Sequence, residues 1–209
     1  MNPEPVVHIV DDDPSVLRSL GRLMRSAGLK AAAFNSPEKF LAQLSEESCG
    51  CLVLDVAMPG VNGLELQTAL VARGSLLPIV FITGQGDIPM SVRAMKAGAV
   101  DFLRKPFKSA ELLSAVRAAL EKNRQARQEQ AERDHLNTWL ARLTPREREV
   151  LPYIIGGNLN KQTAFKLGTA EKTIKVHRAR VFEKLGVTSV AELVRLAERA
   201  GIKPAVIPR

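Results

Sequence analysis

Four places in this sequence concentrate groups able to hold a cation or a phosphoryl group. They are the acidic run Asp11-Asp12-Asp13, Asp55 at the end of the apolar run Cys51-Leu52-Val53-Leu54, Thr83 closing Val80-Phe81-Ile82, and Lys105. Carboxylates crowded at one point repel one another unless a cation sits among them, and hard oxygen ligands with open water positions suit Mg²⁺. A divalent metal is therefore implied. An aspartate placed by an apolar strand can attack phosphorus and become an aspartyl phosphate, and Asp55 is the candidate. Mg²⁺ held by Asp12 and Asp55, with Asp11 acting partly through water, would offset charge on the phosphoryl oxygens, which Lys105 and the Thr83 hydroxyl would bind directly. Taken singly these residues have ordinary explanations, since strand-end acids cap the next helix and a lone lysine is usually solvated. Their weight comes from occurring as a set.

Bringing such distant residues together needs a scaffold, and the sequence alternates in the required way. Short apolar runs at 6–10, 30–34, 51–56, 78–83 and 101–103 are each followed by a helix-periodic stretch, at 14–27, 37–46, 63–73, 89–97 and from about 109. This order predicts an α/β doubly wound five-stranded parallel sheet. In the first helix Asp13 can cap, Pro14 suits the first position, and Val16, Leu17, Leu20, Leu23, Met24 and Ala27 share one face. Ligands of such sheets lie beyond the carboxyl ends of the strands, near the switch in strand order, and every candidate group falls at such an end.

The charge points to a second function. Of the net +8, residues 1–122 carry none, with 13 Lys/Arg against 13 Asp/Glu; residues 123–142 carry 4 against 3, and residues 143–209 carry 13 against 6. A compact basic module suits a polyanion, because each neutralised phosphate releases counterions. Apolar residues at 45% are ordinary for a globular protein, and no apolar run approaches the ~20 residues of a membrane span. Met1-Asn2-Pro3-Glu4-Pro5 lacks a signal-peptide layout, so a cytoplasmic protein is expected, with no membrane association and with Cys49 and Cys51 as reduced core thiols rather than zinc ligands. Three parts follow: 1–122, a helical linker 123–142 and 143–209. No Gly or Pro stops the helix starting near 109 before Pro145, so it is expected to run on as a solvated connector, with a coiled coil as the alternative. His135 reads as a surface residue.

In the last part Thr144-Pro145-Arg146-Glu147 opens a helix with a capping box, and Gly156-Gly157 closes it. A short helix over 160–167, a turn at Gly168 and a longer helix over 171–185 match an all-α helix-turn-helix domain, whose second helix enters the DNA major groove. On that helix Lys172, Lys175, Val176 and Ala179 share one face, Arg178, Arg180 and Lys184 flank it, and Ile174, Val181 and Leu185 can face the core.

I-V-D-D-D, L-V-L-D-V-A-M-P-G-V-N-G, I-V-F-I-T-G-Q-G-D, A-M-K-A-G-A-V-D-F and K-P-F together resemble the receiver domain of two-component response regulators, over about residues 5–122. The resemblance implies a CheY-like fold, Asp11 and Asp12 as the metal pair, Asp55 as phosphoacceptor, and Ala57 as a backbone-carbonyl metal ligand. It further implies Thr83 as switch hydroxyl, Phe102 as rotating aromatic, Lys105 as phosphate-binding lysine, and a cis Lys105-Pro106 bond. Ala57 and Gln85 fall where side chains of this family set how long the aspartyl phosphate survives. L-T-P-R-E-R-E-V-L, G-G-N-L-N-K-Q-T-A, T-I-K-V-H-R and K-L-G-V-T-S-V-A-E-L-V are similar to the LuxR-type helix-turn-helix, over about 143–200. The whole resembles the FixJ/NarL branch of regulators. On that resemblance the DNA-contacting set is Asn160, Lys161, Lys172, Thr173, Lys175, Val176, Arg178, Ala179, Arg180 and Lys184, with Lys175 and Val176 reading bases, His177 part of the recognition helix, and a helix over 189–200 for dimerisation. The implied partners are a sensor histidine kinase, a double-stranded DNA operator, RNA polymerase and a second copy of the chain when phosphorylated. Pro152 inside a helix, Thr163 at an apolar position, Ala170 in place of a capping hydroxyl and Arg180 in place of Asn depart from the pattern. Two rivals differ in class. A metal-dependent phosphatase would favour a second acid where Ala57 stands, and a phosphate-independent DNA-binding scaffold would bind DNA equally in either state.

Overall fold

The computed structural model describes residues 4–45, 47–84 and 88–205 of the chain. Its first unit, Met1–Gln128, is built on a parallel sheet. The strands are β1 (Val6–Val10), β2 (Lys30–Phe34), β3 (Gly50–Asp55), β4 (Ile79–Thr83) and β5 (Asp101–Arg104), in the order β2-β1-β3-β4-β5. All paired strands are parallel, so each connection crosses over through a helix: α1 (Pro14–Ser26), α2 (Pro37–Gln43), α3 (Gly63–Ala72) and α4 (Ile88–Lys96), with α5 (Ser109–Ala141) following β5.

Strand pleating divides the side chains between two faces. Val7, Ile9, Cys51, Val53, Val80 and Ile82 pack with Leu20 and Met24 of α1 and with Leu112, Val116 and Ala119 of α5. Val10, Leu52, Leu54 and Phe81 pack instead with Phe40 of α2, Leu66 and Leu70 of α3, and Ala94 of α4. Every residue of β3 and β4 is buried, as expected for a sheet covered on both faces. The sheet is therefore doubly wound, and its order reverses between β1 and β3, where Asp11 and Asp55 emerge.

Local chemistry fixes the helix starts. The Asp13 carboxylate accepts the Ser15 N–H at 2.7 Å, with Pro14 in the first turn. Asn62 and Glu65 exchange bonds at α3, the Asn62 N–H donating to Glu65 at 2.9 Å and the Glu65 N–H to Asn62 at 3.0 Å. Gly63 lets α3 approach β3, since a Cβ there would collide with the Asp55 carbonyl and crowd the Phe81 ring.

α5 is one helix of 33 residues, continuous as its lack of Gly and Pro allows. Its exit from the first unit is not fully solvated: Asn123 is buried and bonded to the base of the sheet.

The second unit, Glu129–Arg209, holds the end of α5 with α6 (Pro145–Ile155), α7 (Asn160–Lys166), α8 (Glu171–Leu185) and α9 (Val190–Arg199). Its core contains Trp139, Leu143, Val150, Leu151, Ile154, Ile174, Val181, Leu185 and Leu193. The Trp139 indole N–H donates to the Leu185 carbonyl at 3.0 Å. α6 passes through Pro152 unbroken, and the Pro152 carbonyl accepts the N–H groups of Gly156 at 3.1 Å and Ala205 at 2.9 Å. Thr163 is buried, and its hydroxyl is satisfied by the Leu159 carbonyl at 3.1 Å. No helix among the described residues is long and apolar enough to cross a membrane.

Ala170 is the N-cap of α8 and makes no side-chain capping bond. Ala170→Ser is expected to stabilise the second unit by about 0.5–2 kcal/mol, since a hydroxyl would satisfy a first-turn N–H. Trp139 is the chain's single tryptophan, so urea unfolding followed by its fluorescence reports this unit. An unchanged midpoint would show the helix start gains nothing from a cap.

Candidate functional site

At the carboxyl edge of the sheet, Asp11, Asp55 and Thr83 are buried, at 1%, 4% and 0% exposure. Lys105 joins them. Its Nζ donates to Asp11 Oδ2 at 2.7 Å and to Asp55 Oδ1 at 2.9 Å, and its backbone N–H donates to the Thr83 carbonyl at 2.7 Å. The Lys105-Pro106 bond is cis. Phe102 is half-buried on β5, with its ring centroid 6.1 Å from that of Phe81. Ala57 lies exposed just beyond β3, and Gln85 lies outside the described residues.

Of Asp11 and Asp12, the two acids at the end of β1 expected to hold the metal, the structure turns only Asp11 inward. Asp11 still belongs to the ladder, its N–H donating to the Phe34 carbonyl at 3.2 Å, and its side chain points to Lys105. Alternation then leaves Asp12 exposed, and Asp13 is used as the α1 cap. Asp11 Oδ1 also accepts the Asp13 N–H at 2.9 Å, which steadies the turn.

Burial pushes the Asp55 carboxyl above its ordinary value; the Lys105 hydrogen bond and charge oppose this, the Asp11 charge adds to it, and the Ala57 N–H opposes it. Burial pulls the Lys105 ammonium down, but its bonds to Asp11 and Asp55 outweigh that and hold it above its ordinary value.

Among the described residues no three His, Cys, Asp or Glu side chains stand close enough to cage a metal. Mg²⁺ does not require such a cage. One or two carboxylates with waters and phosphate oxygens suffice, and buried Asp11 and Asp55, both meeting Lys105, supply that all-oxygen set.

The raised Asp55 value has a consequence for stability. A carboxyl that keeps its proton more tightly when folded than when unfolded makes stability fall as pH rises from the ordinary carboxylate value through the folded one. At neutral pH the ionised Asp55 thus costs stability, and Asp55→Asn is expected to raise the melting temperature of the first unit while Lys105 keeps Asp11. Calorimetry at pH 7 checks this, and a lower melting temperature in the variant would contradict it.

In the second unit α8 turns Ile174, Val181 and Leu185 inward, each at most 5% exposed, while Lys172, Thr173, Lys175, Val176, Ala179 and Arg180 are exposed. Arg178 is half-buried; on α7 Lys161 is exposed and Asn160 half-buried. Lys184 has a different setting. Its Nζ donates to Glu147 Oε2 at 2.7 Å, and Glu147 is 1% exposed. Burial would push the Glu147 carboxyl up, but Lys184 and Thr144 outweigh this and hold it below its usual value. Lys184 thereby ties α8 to α6, and its charge is committed within the domain.

Residues 7–117 match the model of the response regulator receiver domain, and residues 141–197 that of the bacterial regulatory proteins of the luxR family. The chain belongs to the response regulators. It is 46% identical to response regulator protein TmoT of Ectopseudomonas mendocina over 94% of this chain and 89% of that one. It is 44% identical to transcriptional regulatory protein FixJ of Azorhizobium caulinodans over 95% of this chain and 94% of that one. The solved structure of response regulator StyR is similar at TM-score 0.86 and 49% identity, over 94% of this chain and 100% of that one.

The regulator thus combines a receiver with a LuxR-type DNA-binding domain, as a two-component transcriptional regulator rather than a conventional enzyme. A receiver implies a sensor kinase as partner, and the second domain implies DNA. Two polar features of the regulator gave no sequence signal. The Glu147–Lys184 pair joins residues 37 apart, and the only visible use of Glu147 was its capping box. Gln67, buried on α3, donates to the carbonyls of Ala94 at 3.1 Å and Ala97 at 3.2 Å at the end of α4, where no local pattern marks it.

Proposed function

We propose that this regulator is switched by phosphorylation of Asp55. A sensor histidine kinase supplies the phosphoryl group: an Asp55 carboxylate oxygen bonds to phosphorus as the phosphorus–nitrogen bond of the donor histidine breaks, and the electron pair leaves with the imidazole. The observation that carries this reading is the Lys105 ammonium bonded to two buried carboxylates at the point where strand order reverses. Lys105 neutralises Asp55 before reaction and binds a phosphoryl oxygen after it, while Thr83 offers its hydroxyl to another. Asp11, Asp12, Asp55 and the Ala57 carbonyl would hold Mg²⁺, which supplies charge neutralisation at the phosphoryl oxygens. Hydrolysis of the aspartyl phosphate resets the pocket, and no external substrate is turned over.

The added negative charge draws Thr83 toward Asp55, and Phe102 turns into the space left. The surface of α4, β5 and α5 repacks, and phosphorylated receivers pair. Two recognition helices about one DNA turn apart then read a two-fold operator, with Asn160, Lys161 and the exposed residues of α8 facing DNA. The regulator acts in the cytoplasm, on DNA and with RNA polymerase.

Sedimentation velocity of the full chain with Mg²⁺, with and without beryllofluoride as a phosphate mimic, tests the switch. A shift from monomer toward dimer is expected. An unchanged distribution while Asp55 is occupied would refute phosphorylation-driven pairing.

A further inference from the structure

We infer that Asn123 is a positioning residue that clasps α5 to the starts of β3 and β4, so that rearrangement at the far ends of those strands reaches the helix. Residues 121–135 are mostly charged or polar, yet Asn123 within them is 3% exposed. Its Oδ1 accepts the Gly50 N–H at 2.9 Å, and its Nδ2 donates to the Leu76 carbonyl at 2.6 Å. Because one partner can only donate and the other only accept, the amide has a single productive orientation. One turn later Arg127 Nη1 donates to the Ser48 carbonyl at 3.1 Å, so a second side chain grips the same edge.

The contacted points are specific. Gly50 opens β3, the strand that ends at Asp55, and the carbonyl of Leu76 lies shortly before β4, the strand that ends at Thr83. Gly50 has φ +125°, and a Cβ there would collide with the Val6 backbone, so this corner is tightly packed. β3 and β4 are buried along their whole length and paired through Leu52–Asp55 and Ile79–Ile82. A shift at their carboxyl ends therefore meets stiff strands whose other ends are bonded to one side chain of α5. Rotating or sliding α5 would break both amide bonds and leave buried polar groups unpaired, which favours one helix register over a continuum. This role rests on the phosphorylation reading above, for which it supplies a mechanical link on the side of the sheet opposite the pocket.

The test compares the full-length wild type with Asn123→Leu, which removes both bonds at similar volume, and Asn123→Asp, which keeps the acceptor for Gly50 and loses the donor to Leu76. Each protein is assayed for Asp55 labelling by a small phosphodonor, for hydrogen exchange across residues 120–130, and for operator affinity with and without beryllofluoride. Labelling is expected within about twofold of wild type, and exchange about tenfold faster in the Leu variant. The beryllofluoride-driven gain in affinity is expected to fall by about fivefold or more, the size of a lost coupling contact. A purely stabilising side chain would change exchange and leave the gain intact, and that result overturns the inference. If Asn123→Leu does not fold, Asn123→Asp and Arg127→Ala carry the same comparison: a reduced gain supports the clasp, and an undiminished one overturns it. If the wild type itself shows no gain, the phosphorylation reading fails, and the clasp role falls with it.

Discussion

Asp55→Asn is expected to abolish covalent labelling of the full chain by a small phosphodonor with Mg²⁺, a loss of more than about a thousandfold in rate. The amide occupies nearly the same volume in the buried position at the end of β3, so the pocket keeps its shape, and Lys105 retains Asp11 at 2.7 Å. What disappears is the anionic oxygen able to bond to phosphorus. Lys105→Ala makes the informative contrast. It removes the ammonium that would bind phosphoryl oxygens but leaves the nucleophile, so labelling should persist at a rate lower by about a hundredfold. Intact-mass measurement over time separates the two. Stoichiometric labelling of the Asn variant would move the nucleophile to another acid, and Asp12, exposed beside the pocket, would be the next to test.

The second large effect belongs to α8. Lys175→Ala should weaken binding to an operator obtained by selection from random duplex DNA by about 1–3 kcal/mol and relax preference at one base pair, as loss of a base-edge contact does. The backbone geometry supports clean truncation. Lys175 is exposed, while its neighbour Ile174 is 2% exposed and holds the helix in the core. A loss uniform across sequences would make Lys175 a phosphate contact instead. Wild-type affinity should also fall steeply with added salt, because residues 143–209 carry 13 Lys/Arg against 6 Asp/Glu and binding releases counterions. Lys184→Ala belongs to another class: it leaves the buried Glu147 charge with the Thr144 N–H but no cation, so its first effect is expected on the stability of the domain.

The contrast between Lys175 and Lys184 shows which features of this chain could be read from its sequence. Both follow α8's basic pattern, and periodicity correctly turns Ile174, Val181 and Leu185 inward, but it cannot say that the flank holding Lys184 meets a carboxylate on α6. The receiver was more legible because its chemistry is tied to strand ends. Asp55 and Thr83 close apolar runs whose boundaries are sharp in the sequence, and those runs become β3 and β4. Asp11, Asp12 and Asp13 were harder, since three identical residues receive three environments from backbone direction alone: buried on Lys105, exposed, and capping α1. α5 shows the same limit. The absence of Gly and Pro foretold its continuity, but the burial of Asn123 depends on a bond to Gly50, 73 residues away, which no local pattern records.

In the switch proposed above, occupancy of Asp55 governs DNA binding by the second domain. The most direct measurement of this is operator affinity of the wild type and of Asp55→Asn, each with and without beryllofluoride and Mg²⁺, at one salt concentration. Pairing of two half-sites predicts that the wild type tightens by about a hundredfold with beryllofluoride, while the variant binds with the same affinity in both conditions. Equal wild-type affinity in both conditions, with Asp55 demonstrably occupied, would contradict the switch and make this chain a DNA-binding scaffold indifferent to phosphate.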